Sequence, residues 1–182
     1  MALISARTII TSLSFFHLTL GFFFLTSPVS LADQSLVYVV GDAMGMPTTP
    51  GFDVPSPALA FLAVILAFMG ISDIATLSLP EEAGMVHYWG TQAPVRVLLS
   101  MVSVFYTFFF SESRWHGKKP RAYSSHPTYA QTGFAGDLLK NRVFFTFMFL
   151  EMVSWFWLWV TLREEHTEVL RRKARRRSQS YN

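Results

Sequence analysis

Four ionisable residues stand inside long apolar stretches of this chain: His17, Asp73, Arg96 and Glu151. An ionised group at the centre of a bilayer costs about 2.5–3.5 kcal/mol even by insertion scales, so such residues turn toward one another or toward a wet path. An imidazole and a carboxylate that meet there can share a proton, and a guanidinium and a carboxylate can form a fixed ion pair. Two kinds of work are open to them. They can hold helices in register by pairing, or they can line a route for protons or ions.

Other chemistries find little to work with. The chain has no cysteine, which removes disulfides, thiolate metal sites and cysteine nucleophiles. His87, His116, His126 and His166 are scattered, without the one-turn spacing of a helical metal site, and no metal or cofactor is expected. Ser124-Ser125-His126 places hydroxyls beside an imidazole but has neither a G-x-S-x-G context nor a partnered acid, so it reads as a solvated loop. Gly41 to Gly45 runs into Met46-Pro47 rather than Lys-Ser/Thr, which is no phosphate cradle. Phe144, Phe145, Phe147 and Phe149 occur all round one helix and read as packing and lipid-facing residues. No acid, base and nucleophile form a matched set, so the chain does not read as an enzyme.

The elements that must position the four residues follow from hydropathy. Hydrophobic residues make up 51% of the 182 and aromatics 16%, collected in blocks nearly free of charge, which is a membrane pattern. The expected fold is all-α, a bundle of four transmembrane helices over about 8–32, 54–80, 89–111 and 143–162, followed by a basic tail over 166–182. The first block, Thr8 to Ala32, has 25 residues without Asp, Glu, Lys or Arg. Arg7 before it and Ser30-Leu31-Ala32 at its end also fit a cleaved signal peptide, and that alternative stands. Asp33 to Asp53, with Gly41, Gly45, Pro47, Pro50 and Gly51, reads as a loop. Ser56-Pro57 reads as an N-cap with proline at the first helical position, and Pro80 closes the second block.

Only 15 uncharged residues separate Arg96 from Glu112, too few to span, so the third helix must take in Arg96 and start near Trp89, with Tyr88 and Trp89 at an interface. The polar, aromatic and basic stretch from Glu112 to Arg142 reads as partly surface-lying. In the fourth block Trp155, Trp157 and Trp159 read as an aromatic belt near the exit, and Glu168 can pair with Arg171 or Arg172 if the helix continues.

Depth matches the ionisable residues into pairs. At about 1.5 Å per residue, His17 lies about 14 Å into the first span and Glu151 about 13 Å into the fourth. Asp73 lies roughly 10 Å from the Pro80 end, and Arg96 roughly one to two turns inside the next helix. The pairs are His17 with Glu151 and Asp73 with Arg96. Arg96 has a second reading, in which it snorkels to the headgroups with its stem in lipid.

Four spans put both termini on one side, with Arg7, Arg96, Arg163 and the tail residues Arg171, Arg172, Lys173, Arg175, Arg176 and Arg177, nine basic residues in all. Opposite them stand six, Arg114, Lys118, Lys119, Arg121, Lys140 and Arg142. The positive-inside rule then makes both termini cytosolic. The tail, tethered to a span, reads as a lipid or protein contact rather than a nucleic-acid patch.

Four segments are distinctive: P-S-P-A-L-A-F-L-A from Pro55, S-L-P-E-E from Ser78, Y-W-G-T-Q-A-P-V-R from Tyr88, and the run from Leu139 to Glu165 that ends W-F-W-L-W-V-T-L-R-E-E. Together they resemble the fungal family named increased loss of mitochondrial DNA protein. The resemblance covers about residues 1 to 165. It implies a multi-span protein of the endoplasmic reticulum membrane, associated with maintenance of the mitochondrial genome, and it carries no catalytic or ligand-binding residues over. The functional expectation is a non-enzymatic accessory protein that binds other membrane proteins or lipids. The alternative is a small carrier or channel subunit that uses the intramembrane ionisable residues.

Overall fold

The computed structural model describes residues 4–48, 50–52, 54–80, 82–110 and 135–180. Within them the regular structure is helical: α1 (Ala6–Thr26), α2 (Pro28–Ala32), α3 (Ser35–Ala43), α4 (Pro57–Thr76), α5 (Gly90–Phe109) and α6 (Arg142–Ser180). Four helical segments are long and apolar enough to cross a membrane, Ala6–Thr26, Pro57–Thr76, His87–Phe109 and Arg142–Glu168. The fold is an all-α membrane bundle.

Local sequence explains the starts and stops. Ser5 caps α1, its side chain accepting from the Thr8 amide, and Ser56 caps α4 by accepting from Leu59 with Pro57 at the first helical position. The apolar block expected as one span over 8–32 is divided at Ser27-Pro28. α1 ends at Thr26, and Pro28 opens a new short helix, because its ring and missing N–H disrupt the preceding turn. The stretch expected as a loop from Asp33 to Asp53 contains α3. Gly and Pro begin only at Gly41, and Ser35–Val40 has no residue that stops a helix. α3 is fastened to the start of α6: the Arg142 side chain donates to the Met46 carbonyl at 2.9 Å and lies 5.3 Å from the Tyr38 ring centre. Gly41 permits that approach, since a Cβ there would stand 2.5 Å from Arg142 Cγ.

α5 is preceded by a π-helical segment, Glu82–Trp89, and contains Pro94. The Pro94 nitrogen has no N–H to offer the Gly90 carbonyl one turn back. Residues 111–134 lie outside those described, and with them Ser111, Glu112, Arg114, His116, Lys118, Lys119, Arg121, Ser124-Ser125-His126 and the surface-lying stretch expected there.

The helices assemble as two antiparallel pairs, α1 with α4 and α5 with α6, and contact between the pairs is sparser. α1 and α4 approach most closely at glycines. A Cβ on Gly21 would stand 2.9 Å from the Ala63 carbonyl oxygen, and one on Gly70 2.8 Å from that of Ser14. Small residues at such a seam let two backbones meet in a medium that supplies no hydrophobic drive. At one end of the bundle Ala6 and Ile10 cluster with Trp89, Ala93, Leu158 and Leu162, and at the other Phe24, Leu31 and Leu59 pack with Val143 and Phe147. The start of α1 and the end of the apolar part of α6 therefore share one end.

Candidate functional site

The four intramembrane residues meet as two pairs, and each pair joins one half of the bundle to the other. His17 on α1 reaches Glu151 on α6, Nε2 to Oε1, at 2.7 Å. Asp73 on α4 receives a two-pronged contact from Arg96 on α5, at 2.8 and 2.9 Å. Asp73 is 1% exposed and the Arg96 side chain 20%. Arg96 is turned to the carboxylate, so pairing and not snorkelling describes it. Planar matching of guanidinium to carboxylate is the strong form of such a contact.

The pairs are linked by tryptophan. Trp155, one turn after Glu151, donates its indole N–H to Glu151 Oε2 at 2.6 Å. Its ring stacks on Trp89 at a centroid distance of 5.8 Å and 17° between planes. The Arg96 guanidinium lies 4.5 Å from the centre of the Trp155 ring and 5.7 Å from that of Trp89, within cation–π range. A continuous chain thus runs Asp73, Arg96, Trp155, Glu151, His17, and touches all four spans.

Its charge balance explains how it is tolerated in lipid. Asp73 and Arg96 cancel, and Glu151 with His17 is neutral overall when they hold one proton between them, whichever atom carries it. Breaking one partner of a buried pair leaves an uncompensated charge. His17 Nδ1, Trp89 Nε1 and Thr146 Oγ1 are buried and find no hydrogen-bond partner among the described residues.

Trp89 and Trp155, expected near membrane interfaces, are both turned into the bundle, at 0% and 1% exposure, while Trp157 is exposed. The signal that distinguishes them lies in spacing. Trp155 is four residues after Glu151 and Trp89 seven before Arg96, intervals that share a helix face.

Helix ends are tied by two further contacts that hydropathy does not reveal. The Ala6 amide donates to Glu165 Oε1 at 2.9 Å, and Arg7 donates to the Leu77 carbonyl at 3.2 Å. Between α1 and α6 an open apolar groove of about 380 Å³ is lined by Ile9, Leu13, Phe16, Leu150 and Trp157, with the hydroxyls of Ser12 and Ser154. Arg171 is exposed on the continuation of α6, and Arg172, Lys173, Arg175, Arg176 and Arg177 follow it on the same helix. No group of three or more His, Asp or Glu gathers as a metal site among the described residues.

Fold, hydropathy and the buried chain together define a helical membrane protein of four spans locked across its middle by charge. The family model described as increased loss of mitochondrial DNA protein 1 matches residues 4–172, and the chain belongs to that family. Membership links it to mitochondrial DNA maintenance. No curated protein and no solved structure matches the chain.

Proposed function

We propose that the protein is a non-enzymatic accessory protein of the endoplasmic reticulum membrane, binding other membrane proteins or lipids and acting on the mitochondrial genome indirectly, without touching nucleic acid. The observation that carries this reading is the mutual pairing of the buried charged groups: Arg96 is taken up by Asp73, and both Glu151 oxygens are engaged by His17 and Trp155, with His17 Nδ1 left unpartnered among the described residues. Groups so satisfied hold helices together and leave little for a substrate. The apolar groove between α1 and α6 is a surface that lipid or a partner helix can cover. The endoplasmic reticulum location is supported by the sequence resemblance, and cytosolic termini by the nine-to-six basic count.

Purification of the full chain in mild detergent tests the reading, with stoichiometric membrane partners as the expected result. A lone oligomer that moves protons or ions in liposomes would replace it with the carrier or channel reading. That second reading has its own observation, a His17–Glu151 contact in mid-membrane able to hold a proton on either atom. In sealed microsomes, tags before Ala2 and after Asn182 should both be open to protease, and protection of only one would contradict four spans.

A further inference from the structure

α6 does not stop where its apolar part stops. It runs unbroken from Arg142 to Ser180, 39 residues, of which Val143 to Leu162 suffices to cross the hydrocarbon. Continuation is physically favoured. A helix already formed in the membrane pays no nucleation cost for added turns, and Glu164, Glu165, Glu168, Arg171, Arg172, Lys173 and Ala174 are, Lys and Arg included, good helix formers. Acidic residues precede basic ones along the extension, the order that suits side-chain pairs and the helix dipole.

Distance then decides what the basic cluster can meet. At about 1.5 Å per residue, Arg171 stands about 14 Å beyond Leu162 and Arg177 about 22 Å. The headgroup layer takes up only about 5–7 Å of that, and charge is screened over about 8 Å at physiological salt. Arg175, Arg176 and Arg177 therefore lie beyond effective reach of the bilayer that anchors them. Closest to that bilayer instead are Glu164, Glu165 and Glu168, which outnumber Arg7 and Arg163 at the same end and make that level no basic anchor for an anionic host surface.

Nor is the extension built to lie flat. At about 100° per residue, the six basic positions from 171 to 177 cover about 240° of the helix circumference. From 164 to 180 the gap holds Thr167, Leu170, Ala174 and Ser178, of which only Leu170 and Ala174 are apolar, too narrow an apolar stripe to seat a helix among headgroups. Charge spread round a rod suits a diffuse anionic surface better than a shaped protein pocket.

We propose that the extension of α6 is a projecting arm whose basic end binds the anionic phospholipid surface of a second, apposed membrane. The inference does not depend on the accessory reading of the bundle. Four of the six basic residues that form the cluster, Lys173, Arg175, Arg176 and Arg177, lie outside the segment matched to the family, 4–172, so the proposal rests on this chain's own residues.

Full-length protein in phosphatidylcholine proteoliposomes, tail outward, is mixed with labelled vesicles containing phosphatidylserine, and captured vesicles are measured by co-flotation. Wild type should capture them, should ignore pure phosphatidylcholine vesicles, and should release them in high salt. R175Q/R176Q/R177Q should lower capture at least about tenfold. V169P keeps every charge but breaks the helix, and it should lose capture as well. Undiminished capture by either variant would overturn the proposal, as would no capture by inserted wild type. A tail that becomes protected from trypsin when phosphatidylserine is placed in the host bilayer would also overturn it, by showing that the arm folds back.

Discussion

The contact of α1 with α4 and the seam between the two helix pairs solve the same problem in opposite ways. At Gly21 and Gly70 the backbones come so near that even a methyl group would collide with a carbonyl oxygen, and there the contact rests on close packing. Across the seam, contact is sparse and charged side chains reach over to one another. Lipid tails compete with apolar packing as equals, so close approach needs the small residues, and where they are absent a polar contact must substitute. The seam is therefore the more sensitive to loss of a single partner, because what remains is a desolvated charge.

The largest expected effect follows from that. Arg96→Leu leaves Asp73 alone in the interior and should destabilise the bundle by about 3–5 kcal/mol, measured by thermal unfolding in nanodiscs. Adding Asp73→Leu should restore much of the loss. If the double variant is no better than Arg96→Leu, the pair is not what the seam depends on.

Next in size is the close contact itself. Gly70→Val must push α1 off the Ser14 carbonyl, at about 1–3 kcal/mol for an overpacked site. The same assay with a Gly21→Val comparison shows whether both ends of the contact respond. Wild-type stability in both would mean that α1 and α4 are held elsewhere.

At Glu151 a structural role and proton movement can be told apart. Glu151→Leu strips partners from His17 and Trp155 and should loosen the seam by about 0.6–2 kcal/mol. Glu151→Gln keeps hydrogen bonding and should preserve both abundance and mitochondrial DNA maintenance in cells. Normal abundance with lost maintenance would instead identify a proton path, since an amide cannot cycle a proton.

The smallest expected effect lies outside both contacts. R175Q/R176Q/R177Q should change bundle stability by no more than about 0.5 kcal/mol, as surface substitutions do. A larger loss in the nanodisc assay would tie the extension to the bundle and remove the division between the two.

Much of the architecture is legible in the order of the amino acids. Hydropathy marks where the chain crosses lipid, and a rise of about 1.5 Å per residue assigns each ionisable residue a depth, which is enough to match His17 with Glu151 and Asp73 with Arg96. The Ser56-Pro57 start of α4 is local chemistry and reads directly. α3 does not, because the Gly and Pro from Gly41 onward mask a breaker-free stretch before them.

Depth is a property of one helix at a time, so the chain's own residues suffice to set it, together with the number of spans and the pairing of charges by level. Rotation of each helix and choice of neighbour depend on how whole faces pack, and they emerge only when the helices come together. Packing turns Trp89 and Trp155 inward to join the two pairs into one chain. It also sets Gly21 against Ala63 and Gly70 against Ser14. The physical reason is that lipid ranks residues by depth alone and is blind to azimuth, so the azimuth is fixed by the carbonyl, carboxylate or ring that another helix brings.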